Sequence, residues 1–195
     1  MKRLITTLIL SVMTIGMTVA AEPIKLNAPS KKRGATLQEA LWNRKTVREW
    51  SSKELSKQDL SDLLWASVGQ NRPDGKRTAP TAMNRQEVKV YVLTDEAAYL
   101  YDAKAHMLQP LTDGDYRMGC RGNQAPVDLV VVVDEEWRWS GVDSGYVAQN
   151  IYLFCAANGM GTVSCGMGED AKLRKVLKLD EKQAFVLHNP VGYLK

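Results

Sequence analysis

The sequence predicts an α+β fold, with a mostly antiparallel central sheet flanked by helices. Apolar residues alternate over residues 88–93, which is typical of a strand with one buried face. Two extended segments, 98–101 and 107–111, enclose a polar turn and indicate a β-hairpin. The longest helical pattern covers residues 142–160. Because helical and extended segments do not alternate strictly, a parallel sheet of βαβ units is disfavoured.

The first 21 residues differ from the rest of the chain. A basic start at residues 1–3 precedes an uncharged apolar run at 4–19, and small residues close the segment at 19–21. This pattern predicts a cleaved bacterial signal peptide, and therefore a periplasmic or secreted protein, because the apolar run is short for a membrane span. An uncleaved anchor helix is the alternative. No cysteine stands at the cleavage point, so lipid anchoring is not indicated.

The chain that remains after cleavage, about 174 residues, has the size of one domain. Its composition is globular, with 45% hydrophobic and 25% charged residues over the full chain. Residues 22–35 contain prolines and basic residues without a period, which predicts an arm or linker before a domain at 36–195. Without the signal peptide the net charge is about +2, which does not favour a nucleic-acid partner.

Two helices are predicted at the start of this domain. Thr36 and Glu39 have the spacing of a capping box, which predicts a short helix after Thr36. A second amphipathic pattern begins at Ser56 and ends before Gly69. Residues 70–83 are rich in proline, glycine and polar residues and are interpreted as a loop, a common location for functional groups.

The second half of the domain is expected to supply the centre of the sheet. Residues 127–133 are almost all β-branched, which is typical of a strand covered on both faces. After the long helix, an amphipathic helix is expected over 169–179 and a strand over 184–187. The polar segment 113–122 is expected to be helical in part.

Several common catalytic motifs are missing from the sequence. His106 and His188 have no partners at zinc-motif spacing, so no metal site is predicted. His188 is interpreted as a hydrogen-bonding residue at the end of a strand. The glycines at 159 and 161 follow a helix rather than a strand, which argues against a Rossmann turn. Three cysteines allow at most one disulfide within the chain, and Cys155 is interpreted as a core residue.

A cluster of basic residues follows the first predicted helix. Arg44, Lys45 and Arg48 place three cations within five residues, and Thr46 adds a hydroxyl and a backbone N–H. This combination can surround a phosphate dianion. The alternative is a solvated helix end, since cations also stabilise the negative end of the helix dipole.

Two further segments could contact a flat, polar ring. Residues 79–86 (APTAMNRQ) combine small residues and a proline with the amides of Asn84 and Gln86. These amides can both donate and accept hydrogen bonds along the edge of an isoalloxazine, although an ordinary polar loop is the alternative. Residues 161–168 (GTVSCGMG) contain three glycines, which allow the backbone to approach a flat ligand closely.

These three segments, in this order, resemble the FMN-dependent nitroreductase superfamily, and the resemblance covers residues 37–195. Residues 44–48 (RKTVR) are similar to the family's R-R-S-x-R phosphate motif, and residues 79–86 to its A-P-S-A-x-N-x-Q ring-binding loop. Residues 143–165 resemble the family's long core helix and the loop after it. The hairpin around residues 99–108 resembles that of the branch containing SagB-like dehydrogenases, which oxidise azoline rings in modified peptides.

The resemblance implies a nitroreductase-like fold and an obligate homodimer with FMN at the subunit interface. The cofactor-binding residues it implies are Arg44, Lys45, Thr46 and Arg48 from one subunit, Pro80, Thr81, Ala82 and Asn84 from the other, and Cys165 and Gly166 near the reactive edge of the flavin. Lys195, the last residue, is a candidate for the C-terminal basic residue with which family members often contact the phosphate. The arm at 22–35 could help to embrace the partner.

The implied activity is two-electron transfer through FMN, as hydride, from NAD(P)H or another donor to a small oxidised acceptor. Lys45, Arg48 or backbone N–H groups would stabilise the negative charge of the reduced flavin, and no residue is assigned a catalytic role. Export conflicts with NAD(P)H, which is scarce outside the cytoplasm, so the donor stays open. The alternatives are a SagB-like dehydrogenase acting on a peptide or natural product, and a flavin-binding module without turnover.

Overall fold

The protein is an antiparallel sheet with helices on both faces. The computed structural model describes residues 22–195, so the predicted signal peptide lies outside the described residues. The strands in this range are β1 Ile24–Lys25, β2 Val88–Leu93, β3 Ala97–Asp102, β4 Met107–Asp113, β5 Val127–Val133, β6 Met160–Thr162, β7 Cys165–Gly166 and β8 Ala184–Tyr193. The helices in the same range are α1 Leu37–Asn43, α2 Lys57–Val68, α3 Ser140–Ala157 and α4 Ala171–Val176, with a 3-10 turn at Ala82–Asn84. This arrangement confirms the α+β prediction.

The strands follow the order β1-β4-β3-β2-β5-β8-β6, and β7 also pairs with β8. Each of these pairs is antiparallel. Every residue of β5 is buried, as expected for a central strand. None of the helices within residues 22–195 is long and apolar enough to span a membrane.

The helices bury the two faces of the sheet in separate clusters. Leu64 of α2 and Ile151 of α3 pack with Val90 on one face. Leu173 of α4 packs with Tyr91 on the other face. Val90 and Tyr91, which are neighbours in β2, therefore belong to different hydrophobic clusters, because successive side chains of a strand point to opposite faces.

The predicted starts of the first two helices are confirmed. Thr36 Oγ1 accepts the Glu39 N–H at 3.3 Å, and the Glu39 carboxylate accepts the Thr36 N–H at 2.8 Å. Ser56 Oγ accepts the Asp59 N–H at 3.1 Å. Both side chains satisfy N–H groups that the first helical turn leaves without a partner.

The expectation that the last strand ends at residue 187 is wrong. β8 continues to Tyr193 and places Pro190 opposite Asp128 of β5. Pairing with strands on both sides holds β8 extended through residues that usually end strands. His188 therefore lies inside β8 rather than at its end, and it is buried.

The expectation of a partial helix over 113–122 is also wrong. This segment ends β4 and then forms turns, in which Gly119 and Arg121 have φ angles of 62° and 52°. Asp128 Oδ2 accepts the N–H groups of Met118 and Gly119 at 3.1 and 3.3 Å. A buried carboxylate thus supplies hydrogen bonds that compete with those of a helix.

The arm at 22–35 lies along its own domain. β1 pairs with β4 at the edge of the sheet. Arg33 forms ion pairs with Asp59 and Asp62, at 2.7 Å to Asp62, and its guanidinium lies over the ring of Phe154. These contacts hold the arm against α2 and α3.

Candidate functional site

Residues 44–50, here called the basic segment, leave α1 and run beside β6. The Val47 N–H donates to the Thr162 carbonyl at 2.9 Å, and Trp50 Nε1 donates to the Gly161 carbonyl at 2.9 Å. A Cβ on Gly161 would lie 2.6 Å from Val47, so this position requires glycine. Buried Trp50 and the close approach at Gly161 fix the backbone of the basic segment.

The basic side chains of this segment are clustered and available. Within residues 22–195, none of Arg44, Lys45 and Arg48 takes part in an ion pair. The Arg44 guanidinium lies 5.4 Å from the ring centre of Tyr152 on α3. Because Arg44 stacks on another helix, its side chain is not simply a solvated cap on α1. Three neighbouring cations that form no ion pair with the described residues favour an anionic ligand.

A cavity of about 300 Å³ adjoins the basic segment. Its walls include Lys45, Val47, Tyr152, Gly161 and Leu194. Its volume is at the lower end of the range for small-molecule sites. The cavity therefore combines one flexible cation with an aromatic ring and the backbone of β6.

Tyr152 is a site residue that the sequence analysis did not single out. Its hydroxyl accepts the Ser164 N–H at 3.0 Å and lies 3.4 Å from Thr46 Oγ1. This one side chain thereby connects the basic segment to the glycine-containing segment 161–168. The available signal was an aromatic residue with a polar tip within the apolar stretch of α3 from Ile151 to Ala157.

The second predicted segment, 79–86, is held by the start of α3. The two carboxylate oxygens of Asp143 accept the Ala82 N–H at 3.0 and 3.1 Å. Thr81 Oγ1 accepts the Gln86 N–H at 2.9 Å. The turn of backbone is therefore shaped by a carboxylate that the sequence analysis missed.

Asn84 and Gln86 contact each other in this loop. Gln86 Nε2 donates to Asn84 Oδ1 at 3.2 Å, and Asn84 is exposed. A second cavity of about 300 Å³ opens here, with Pro80, Thr81 and Ala82 among its lining residues. The residues expected to contact the ring of a ligand thus border open space.

Two buried carboxyl groups lie at this loop. Asp143 and Glu87 are 1% and 5% exposed, and Trp137 Nε1 donates to Glu87 Oε1 at 2.8 Å. Burial, followed by hydrogen bonding to Glu87, raises the pKa of Asp143. The Asp143 carboxyl therefore keeps its proton to a higher pH than an isolated carboxyl does.

The structure brings only some of the predicted site residues together. Tyr152, which contacts the basic segment, and Asp143, which holds the 79–86 loop, are nine residues apart on α3, or about 14 Å of helix rise. Within this chain the basic segment therefore lies beside residues 161–166, whereas the loop lies toward the other end of α3.

The remaining predicted residues lie near the basic segment. Cys165 is half-buried and packs in a cluster with Trp50, whereas Gly166 is exposed. Lys195 Nζ lies 3.6 Å from Glu49 Oε2. Lys195 therefore lies beside the basic segment, and its contact with the phosphate stays a prediction.

Comparisons with known proteins point to one family. Residues 41–193 match the sequence model of the nitroreductase family. A candidate nitroreductase of Methanocaldococcus jannaschii is 28% identical over 180 residues, which cover 80% of this chain and 90% of that protein.

Solved structures have the same fold. The crystal structure of a candidate nitroreductase from Ralstonia eutropha superimposes with a TM-score of 0.84, at 32% identity, over 91% of both chains. An FMN-dependent nitroreductase from Clostridium difficile is 16% identical, with a TM-score of 0.56 over 81% of this chain and 87% of that one. The residues matched by the family model include the basic segment, the 79–86 loop and α3. This chain therefore belongs to the nitroreductase family.

Proposed function

We propose that this protein is an exported FMN-dependent oxidoreductase that transfers two electrons to a small oxidised acceptor. The observation that carries the proposal is the cluster of Arg44, Lys45 and Arg48. None of the three takes part in an ion pair within residues 22–195, and Lys45 lines the cavity beside them. Membership of the nitroreductase family supports a flavin oxidoreductase in general.

The residues of the basic segment fit the phosphate of FMN. Arg44 and Arg48 would donate hydrogen bonds to phosphate oxygens, Lys45 would add a mobile ammonium group, and Thr46 would add its hydroxyl. Lys195, beside the same segment, would contribute long-range attraction. Bound FMN supplies hydride acceptance and donation, while the protein positions the ring and compensates the charge.

A homodimer would complete this site. The loop containing Pro80, Thr81, Ala82 and Asn84 is displaced along α3 from the basic segment of its own chain, so a partner's loop is the proposed source of the ring contacts. Apolar side chains that a dimer could cover are exposed at both places, including Trp42 and Met83 at 88% each.

The chain's own residues would bind and orient the cofactor and compensate its charge, and none is assigned as a general acid or base. Lys45 and Arg48, together with backbone N–H groups, would stabilise the negative charge of the reduced cofactor. Asp143 would hold the Ala82 N–H and thereby the shape of the loop. The electron donor is proposed to be NAD(P)H or another reductant present in the compartment to which the protein is exported.

Spectroscopy of the purified full chain tests the enzymatic proposal. The expected protein is yellow with an FMN absorption spectrum, is bleached by NADH or NADPH without oxygen, and regains its colour on addition of a nitroarene. Colourless protein that does not take up added FMN would overturn the proposal. A bound flavin that no donor reduces would leave a flavin-binding module without turnover.

Export depends on residues 1–21 and needs its own test. The full-length gene product, expressed in a bacterial host, is expected in the periplasmic fraction or the medium, with a mature N-terminus near Glu22. An intact N-terminus on cytoplasmic protein would contradict export without affecting the flavin proposal.

A second candidate function is a SagB-like dehydrogenation of a peptide or natural product. The hairpin of β3 and β4, whose sequence resembles that branch, is closed by a 2.8 Å contact between the Tyr101 hydroxyl and His106 Nδ1. Oxidation of an azoline-containing peptide by FMN-loaded protein would favour this candidate. Turnover of nitroarenes with no reaction on azolines would favour the first.

A further inference from the structure

We propose that Cys120 and Cys165 are a redox-active thiol pair, which closes to a disulfide by exchange with a small-molecule disulfide. Their sulfur atoms lie 3.4 Å apart, although the two residues are separated by 45 positions in the sequence. Both side chains are half-buried and both are free thiols. Since a disulfide bond is about 2.05 Å long, closing the pair requires about 1.4 Å of movement.

The strand pairing gives Cys165 a defined environment. Cys165 in β7 lies directly opposite His188 in β8. Directly opposite residues of antiparallel strands project to the same face, so the thiol and the imidazole are neighbours. His188 Nδ1 in turn contacts the Asp128 carboxylate at 2.9 Å, and Asp128 is fully buried.

The same carboxylate also holds the turn that carries Cys120. Asp128 Oδ2 accepts the N–H groups of Met118 and Gly119, the two residues before Cys120. Cys120 then forms reciprocal backbone hydrogen bonds with Asn123, at 2.9 and 3.0 Å. The buried Asp128 carboxylate therefore contacts both His188, opposite Cys165, and the turn that carries Cys120. The fold itself thus holds the two thiols together.

The two thiols have different roles in the exchange. Burial, followed by hydrogen bonding to Cys120, raises the pKa of Cys165 to about 11. Cys165 is therefore a poor first nucleophile, and we assign the first attack to Cys120. A thiol of high pKa is also a poor leaving group, so the closed disulfide resists reopening.

The reaction balances with an external disulfide such as oxidised glutathione. The Cys120 thiolate attacks one sulfur of the small disulfide, forms a mixed disulfide and releases one thiolate. The Cys165 thiolate then attacks the Cys120 sulfur and releases the second thiolate. The protons of the two protein thiols pass to the released thiolates. The protein loses two electrons and two protons, and the small disulfide is reduced to two thiols.

Thiol counting on the full chain tests the proposal. Reduced protein is incubated with oxidised glutathione, alkylated in denaturant and analysed by mass. Three alkylated cysteines are expected before oxidation and one afterwards, at Cys155, with a peptide link between Cys120 and Cys165. Retention of three thiols, or an end point with glutathione attached, would overturn the proposal.

Substitutions test whether the disulfide forms specifically between Cys120 and Cys165. Cys155→Ala should still lose both remaining thiols, because its side chain lies in the core away from the pair. Cys120→Ser should not form an internal disulfide. Closure should raise the Tm of the wild type by about 5 °C or more, because it links distant parts of the chain, and should not raise that of Cys120→Ser. An equal rise in both would also overturn the proposal.

Discussion

The hydroxyl of Tyr152 accepts a hydrogen bond from the Ser164 N–H at 3.0 Å. The same hydroxyl lies 3.4 Å from Thr46 Oγ1, and the ring lies beneath the Arg44 guanidinium. A single side chain of α3 therefore positions the basic segment relative to the segment that follows β6. This contact links the long core helix to the proposed phosphate site.

Tyr152→Phe should destabilise the protein by about 1 kcal/mol, because the Ser164 N–H loses its acceptor while the aromatic ring stays in place. Urea unfolding measures this change in the free energy of unfolding. Tyr146→Phe is the matched control, since Tyr146 lies on the same helix and is 46% exposed. Equal effects of the two substitutions would show that the Tyr152 hydroxyl contributes nothing specific.

Loss of the two arginines of the basic segment should weaken FMN binding. Arg44→Ala combined with Arg48→Ala removes the two proposed charge-assisted contacts with the phosphate, so we expect an increase in Kd of about 100-fold or more. Fluorescence titration of the flavin measures the Kd, and circular dichroism checks the fold.

The control for this variant is Lys31→Ala combined with Lys32→Ala. These exposed residues carry the same charge but lie in the arm. Their loss should change the Kd less than about threefold, through long-range electrostatics alone. If both double variants bind FMN like the wild type, the basic segment is not the phosphate site.

Glu87→Gln should change how stability depends on pH. The raised pKa of Asp143 means that the folded state keeps a proton that the unfolded state releases, so the Asp143 carboxyl costs stability as pH rises above about pH 4. In the variant, the amide can donate to the Asp143 carboxylate and remove the need for that proton.

The stability difference, variant minus wild type, measured by urea unfolding, should therefore increase as the pH rises above about 4. Glu136→Gln serves as the control because Glu136 is exposed, and its difference should stay flat. A difference for Glu87→Gln that is flat or falls with pH would contradict a role of Glu87 in raising the pKa of Asp143.

The proposed homodimer should depend on the exposed apolar face of α1. Leu41→Glu combined with Trp42→Glu places two charges on side chains that are 50% and 88% exposed. We expect the molar mass from light scattering to fall from the dimer to the monomer value, since burying charges without partners is unfavourable.

Ser52→Glu combined with Asn71→Glu adds the same charge at exposed polar positions and should leave the dimer intact. A monomeric wild type at micromolar concentration would contradict the dimer. A dimer that survives the α1 substitutions would place the interface elsewhere.

The sequence by itself determined the features that depend on short segments. Neighbouring side chains were enough to predict the capping box of Thr36 and Glu39 and the buried strand at residues 127–133, because caps and periodicity are local properties. The basic segment and the 79–86 loop were also visible as residue patterns. Their proposed role in binding FMN stays a prediction.

Only the tertiary structure decided which distant residues meet. The full length of β8 depends on its pairing with strands on both sides, which overrides the local preference of Pro190. Asp143 reaches Ala82 across 61 residues, and Cys165 meets Cys120 across 45. Such contacts leave no periodic pattern in the sequence, because they depend on how the sheet and α3 place segments in space. The length of α3 between Asp143 and Tyr152 also separates the 79–86 loop from the basic segment, the two parts of the proposed cofactor site.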